Sequence, residues 1–207
     1  MTTIINMQLY LKKKVHCLKK TVEWLIAIVS AIAIVLLIRT FIGTPYTVKG
    51  QSMFPTFHDK DRVIVSKISK SLNHLNRGDV IVFHENQHKD FIKRLIGRPG
   101  DTVVYKDDQL YVNGKKIKEP YLNSNKKYKI GDFLTEDFNV EDLKNAQGQS
   151  KIPAHRYLVL GDNRQNSIDS RRPEVGLISE RQIVGKVTVR VWPFIRIQFG
   201  FNPDTFK

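Results

Sequence analysis

The sequence predicts a mainly β protein: a coiled, partly closed, barrel-like β domain behind one N-terminal transmembrane helix. Three observations predict it. Short runs rich in Val, Ile, Phe and Tyr recur from Tyr46 to Val191 and are separated by Gly, Asp and Pro turns. Asn113-Gly114 sits between two such runs, the strongest short signal for a hairpin. One charge-free apolar stretch lies near the N-terminus, Trp24 to Ile38.

That stretch has 15 residues, short for a span, and reaches 19 at Ile42 if Arg39 extends toward the headgroups. Trp24 and Phe41 suit the two interfaces. A cleavable leader starts with similar charges, but its apolar region is shorter and a small-x-small site follows it. No such site follows Ile38. A buried core helix would need a large helical or α/β surround that the remaining sequence does not suggest. Lys12, Lys13, Lys14, Lys19 and Lys20 precede the stretch with no acid before Glu23. The positive-inside rule therefore predicts a cytoplasmic basic segment over 1–21, a signal-anchor helix over 22–42 and an extracytoplasmic domain over 43–207.

The net charge is +14, but its remainder is diffuse: 28 basic and 19 acidic residues from Thr44 onward. No basic block interleaves with aromatics, and no zinc-finger or helix-turn-helix spacing occurs, so nucleic acid is not an expected partner. The single cysteine, Cys17, excludes an intrachain disulfide and a thiolate metal cluster. Neither a metal nor a cofactor is expected.

Strands are predicted at Tyr46–Lys49, Arg62–Ser66, Val80–His84, Phe91–Ile96, Thr102–Tyr105, Gln109–Val112, Lys115–Ile117, His155–Leu160 and Gln182–Val191. Residues 105–155 read as a hairpin or cap insertion, and Thr135–Gly148 within it as loosely helical or irregular. The C-terminal apolar residues, Val191-Trp-Pro-Phe-Ile and Phe199-Gly-Phe, suit either core or a membrane surface.

Two segments carry candidate chemistry. In Tyr46-Thr-Val-Lys-Gly-Gln-Ser-Met-Phe-Pro, alternation puts Tyr46, Val48 and Gly50 on one face. Gly50, lacking a side chain, would let another backbone approach. Ser52 follows at the strand end, where a peptide lying alongside could meet it. Alone, this segment also reads as a plain turn. A serine nucleophile needs a base. None of the six histidines has a triad context, and His84 and His88, though spaced i, i+4, fall on strand and loop rather than on one helix face. Lys93 shares a strand face with Phe91 and Leu95. Apolar neighbours strip hydration from its charged form and lower its pKa. From ~10.4 it must drop roughly 2–3 units to act as a base near neutrality. The plain alternative is a lysine guarding a sheet edge.

Three segments together are more specific. Gly50-Gln-Ser-Met-Phe-Pro-Thr-Phe, Phe91-Ile-Lys-Arg-Leu-Ile-Gly-Arg-Pro-Gly-Asp and Gly161-Asp-Asn-Arg-Gln-Asn-Ser-Ile-Asp-Ser-Arg resemble, in order and behind an anchor, the signature boxes of bacterial type I signal peptidases. The resemblance runs from Val22 to Val191. It implies Ser52 as nucleophile, Lys93 as general base and the Ser52 N–H as oxyanion donor. It implies that Ser167 hydrogen-bonds the Lys93 amine, and that Asp162 pairs with Arg94 and Asp169 with Arg171. Tyr46, Val48, Phe57 and Ile92, with Gly50 and Gln51, would line the substrate site. Some members carry a serine two residues before the nucleophile as a second oxyanion donor, where this chain has Gly50. That glycine, the single span and the short insertion resemble the Gram-positive branch.

The implied activity is removal of signal peptides from exported preproteins after small-x-small sites, at a bacterial cell membrane, by a monomer in the bilayer. Two other readings stay open at this point. A self-cleaving repressor of the SOS type shares the Ser–Lys pair but needs a DNA-binding domain in place of an anchor. A catalytically dead, membrane-tethered binding relative needs no working dyad.

Overall fold

The computed structural model describes residues 19–35, 43–67 and 75–206. Most of the expected cytoplasmic segment, with Cys17 and His16, lies outside the described residues. So do His74 and the end of the expected anchor, 36–42, with Arg39 and Phe41. The chain divides into two units, 1–42 and 43–207.

In the first unit, 19–35 is a helix, α1. It has no Gly or Pro, and Ser30 satisfies its hydroxyl locally by donating to the Ile26 carbonyl at 2.7 Å. Apolar side chains, among them Trp24, Leu25, Ile28, Val29 and Ile32, are exposed all around it. Among the described residues no helix is long and apolar enough to cross a membrane.

The second unit is built on antiparallel strands: β1 (Thr44–Thr47), β2 (Arg62–Ser66), β3 (Val80–Asn86), β4 (Lys89–Gly97), β5 (Val103–Lys106), β6 (Gln109–Val112), β7 (Lys115–Ile117), β8 (Phe138–Asn139), β9 (Arg156–Leu160), β10 (Ile178–Ser179), β11 (Ile183–Trp192) and β12 (Gln198–Phe199). Two sheets result. The larger runs β1-β2-β11-β3-β4-β9-β10, with β12 added to β11; the smaller runs β7-β6-β5-β8. Among the described residues no pairing joins β1 to β10. The large sheet is therefore open, where the sequence suggested partial closure into a barrel. Register shifts at β11, β3–β4 and β4–β9 bend it, since an extra unpaired residue raises local twist without bringing the edges together.

The small sheet is formed largely by the insertion. Its second turn is Asn113-Gly114, with φ of 51° and 75°, the left-handed pair that a two-residue hairpin needs. Its first turn, Asp107-Asp108, has φ of 51° and 58°. The Asp108 carboxylate accepts from the Leu134 and Thr135 N–H groups at 2.8 Å each, anchoring the following loop. The stretch expected to be loosely helical contributes strand β8 and a 3-10 turn at Val140–Asp142, capped by Asn139.

Buried side chains form three clusters. One lies under the small sheet and β9 (Ile96, Val103, Tyr105, Leu110, Leu158, Leu160). A second (Val48, Met53, Phe57, Val63, Val82, Val187, Phe201) backs the segment after β1. A third (Ile81, Phe83, Leu95, Val159, Ile183) fills the opposite face of the central strands. The C-terminal apolar residues divide: Phe201 is core, 4.6 Å from the Phe57 ring, while Trp192, Phe194, Ile195, Ile197 and Phe199 are exposed.

Candidate active site

β1 ends at Thr47, and the chain continues through Val48 into a tight turn over 51–57. Met53 and Phe57 are buried in the second cluster and pin the turn from below; each such burial stabilises by roughly 1.5–3 kcal/mol. The Phe57 N–H donates to the Met53 carbonyl at 2.9 Å and the Phe54 N–H to the Gln51 carbonyl at 3.0 Å. Ser52 stands at the start of this turn, partly exposed. Gly50 is needed for its φ of +83°; a Cβ there would meet nothing within 4 Å. Left-handed geometry is one reason for the glycine, and the open space over it leaves room for a peptide backbone.

β4 brings up Lys93, which is 3% exposed. Its Nζ donates to Ser52 Oγ at 2.6 Å and lies 5.0 Å from the centre of the Phe91 ring. Burial pulls the amine pKa from 10.5 down to about 8, against the opposing charges of Asp169 and Asp162. At pH 7 roughly one amine in ten is then neutral.

Behind Lys93, Arg94 is fully enclosed. Its Nε and Nη2 donate to the two Asp162 oxygens at 2.9 and 2.7 Å, and its Nη1 to the Gly78 and Phe201 carbonyls at 2.7 and 2.6 Å. Thr56 completes the arrangement by donating to Asp162 Oδ2 at 2.5 Å. Every charge here is paired, the condition on which a buried ion pair is tolerated. Nearby, Arg171 donates from Nε and Nη2 to Asp169 at 2.9 Å each, and the Gly161 N–H donates to the same carboxylate at 2.9 Å. Burial would raise the Asp169 pKa, but Arg171 and Gly161 hold it below the usual carboxylate range.

The loop 161–170 touches the Ser52 turn directly. The Asn163 N–H donates to the Ser52 carbonyl at 3.0 Å and its side-chain amide to the Gln51 carbonyl at 3.1 Å. A Cβ at Gly161 would sit 2.6 Å from the Ser52 carbonyl oxygen and 2.1 Å from Ser167 Oγ, so only glycine fits between them. Ser167 does not hydrogen-bond Lys93. Its Oγ is buried without a hydrogen-bond partner. It lies near enough to Asp169 to help lower that carboxyl's pKa, though not in hydrogen-bonding geometry.

A groove of about 710 Å³ opens over Ser52 and Lys93. Tyr46, Val48, Gly50, Gln51 and Ile92 line it, joined by Val82 and Ile168, which the sequence did not single out. Phe57 does not line it; being fully buried against Phe201, it supports the floor from beneath. Among the described residues β1 pairs only with β2, and β9 covers β4 only from Arg94 onward. Two strand edges, 45–52 and 89–93, therefore face one groove. Of the described histidines, the rings of His58, His84 and His155 contact Arg196, Asp90 and Glu180, and His84 and His88 line the groove beyond Lys89. Among the described residues no group of three His, Cys, Asp or Glu side chains is placed to hold a metal ion.

Sequence reasoning missed Asn163 and Thr56, and also Glu119, which accepts from the buried Arg164 guanidinium, and Asn125, whose amide donates to the Phe54 and Asp162 carbonyls. Their roles depend on contacts between segments 37 to 112 residues apart, which no local pattern reports.

The chain is similar to known proteins over most of its length. A signal peptidase IB of Staphylococcus aureus (strain MRSA252) is 53% identical over 190 residues, covering 91% of this chain and 98% of the relative. Signal peptidase I T of Bacillus subtilis (strain 168) is 47% identical over 182 residues, covering 85% and 89%. The crystal structure of a signal peptidase I from Enterococcus faecalis V583 superposes with a TM-score of 0.50 at 38% identity, covering 55% of this chain and 97% of that one. The family model for signal peptidase, peptidase S26, matches residues 21–192, and with a match of that extent the chain belongs to this family.

Proposed function

We propose that this chain is a serine endopeptidase that removes signal peptides from exported preproteins, with Ser52 as nucleophile and Lys93 as general base. The observation that carries the reading is the 2.6 Å contact between the Lys93 amine and the Ser52 hydroxyl, with the amine buried. In the neutral amine the donor roles reverse: Nζ accepts the hydroxyl proton as Oγ attacks the scissile carbonyl. The Ser52 N–H stabilises the oxyanion. Lys93 then hands its proton to the leaving amine and takes one from the water that hydrolyses the acyl-enzyme. Arg94, Asp162, Asp169 and Arg171 hold the scaffold. Gly50 supplies no hydroxyl, and its N–H is committed to Asp59 at 2.8 Å, so the Ser52 N–H is the donor assigned here.

An extended peptide fits between the two free strand edges by adding main-chain hydrogen bonds to both. Val48, Val82 and Ile92 wall the groove; their bulk favours small residues, such as Ala, at the first and third positions before the cut. The charge-free run at 24–38 and the preceding lysines support a single-pass anchor with the β unit outside the cytoplasm. The exposed strip from Trp192 to Phe199 suits a lipid interface. All the reacting side chains come from one chain, which supports a monomer as the working unit.

The test is incubation of the purified chain in detergent with a precursor peptide containing Ala-x-Ala. Cleavage after the second Ala is expected, with a loss of about 10³-fold or more in Ser52→Ala. Binding without cleavage by the parent would favour an inactive relative instead.

A further inference from the structure

The insertion carries a short helix, α2 (Asn123–Lys127), between β7 and β8. Asn125 on it reaches out of the small sheet's unit of structure and into the catalytic loops. Its Nδ2 donates one proton to the Phe54 carbonyl and the other to the Asp162 carbonyl, each at 2.8 Å. Phe54 belongs to the turn that carries Ser52. Asp162 lies between Gly161, packed on the Ser52 carbonyl, and Asn163, which hydrogen-bonds that carbonyl. One amide thus uses both of its N–H groups to tie the two loops together. Asn125 is absent from the lining of the groove.

We propose that Asn125 is a positioning residue for catalysis: a strut from the insertion that fixes the nucleophile turn against the 161–170 loop. The proposal rests on the Ser52–Lys93 reading of the site. The Ser52 peptide must aim its N–H at the oxyanion while its Oγ stays in reach of Lys93, and a misplacement of about 1 Å can cost on the order of 100-fold in rate. Substrate pairs with edges 45–52 and 89–93, which Asn125 does not touch. Its loss therefore weakens the chemical step while leaving peptide binding intact.

Asn125→Asp keeps the shape and removes both donors; Asn125→Ala removes the whole amide. Both are compared with the full-length parent in detergent on an Ala-x-Ala precursor peptide. The expected result is kcat lowered roughly 10-fold or more with KM within about twofold. Precursor binding to Ser52→Ala should be the same with and without Asn125→Ala, and the melting temperature should shift by only a few degrees. An unchanged kcat in both variants, a rise in KM in place of the fall in kcat, or a loss explained by unfolding at the assay temperature would each overturn the proposal. A parent that cuts nothing would instead remove the underlying reading of the site.

Discussion

In the proposed mechanism Lys93 is a single side chain that trades stability for reactivity. Alternation along its strand placed it among apolar neighbours, and the structure puts it 3% exposed beside Phe91 with its pKa at about 8. The base must be neutral, so kcat/KM should climb as pH rises from 6 and level off above an apparent pKa near 8. A pH–rate profile checks this; a rate flat down to pH 5 would remove the amine from the proton transfer. Ser167 and Phe57 mark where residue-level reading stops. The first is buried without a partner and the second lies beneath the groove rather than along it, and both placements depend on rotamers and depth that spacing does not encode.

Elements place these residues in register. β1 and β4 were legible from β-branched and aromatic runs, and the β6–β7 hairpin from Asn113-Gly114. The two-residue strands β8, β10 and β12 were not, because so short a run has no period to detect. Neither was the Asp107-Asp108 turn, which lacks glycine and is held by carboxylate bonds to a loop 26 residues away. Loop 161–170 matters most to the site. Gly161 has an ordinary φ, and its need for glycine comes from the Ser52 carbonyl and Ser167 pressed against it. Gly161→Ala should push that loop off the nucleophile turn, cutting kcat by roughly 10- to 100-fold and stability by about 1–3 kcal/mol. Paired measurement of cleavage and thermal unfolding checks both; wild-type values for the two would show the contact to be dispensable.

Across the whole β unit, three apolar clusters and a set of enclosed ion pairs hold the two sheets together, and the groove lies on the larger one. Arg164, buried, donates to Glu119 at 2.5 Å and to the Gly161 carbonyl at 3.0 Å, linking the insertion to the catalytic loop. Global stability carries the cost of the buried amine. A fall from 10.5 to about 8 corresponds to about 3 kcal/mol at ~1.36 kcal/mol per unit. Between those two pH values the unfolded chain binds a proton that the folded chain does not, so stability from this group increases with pH through that window and the penalty is full below pH 8. Lys93→Met should thus abolish cleavage yet melt a few degrees higher than the parent at pH 7, with the difference shrinking toward pH 10.5. Calorimetry at both pH values tests it; a variant no more stable at pH 7 would mean that the amine is not strained by burial.

From its residue order alone, the chain specified strands, turns, a charge-free N-terminal run and three segments carrying a serine, a lysine and paired acids and arginines. Those are local properties, set by side-chain branching, backbone φ and hydrophobic period. Folding settled what no window of residues contains: that the large sheet stays open with two free edges over one groove, that Ser52 meets Lys93 across 41 residues, and that Asn125 of the insertion donates to both the Ser52 turn and the 161–170 loop. Such contacts are products of close packing between distant segments, where a few tenths of an ångström decide whether a hydrogen bond forms.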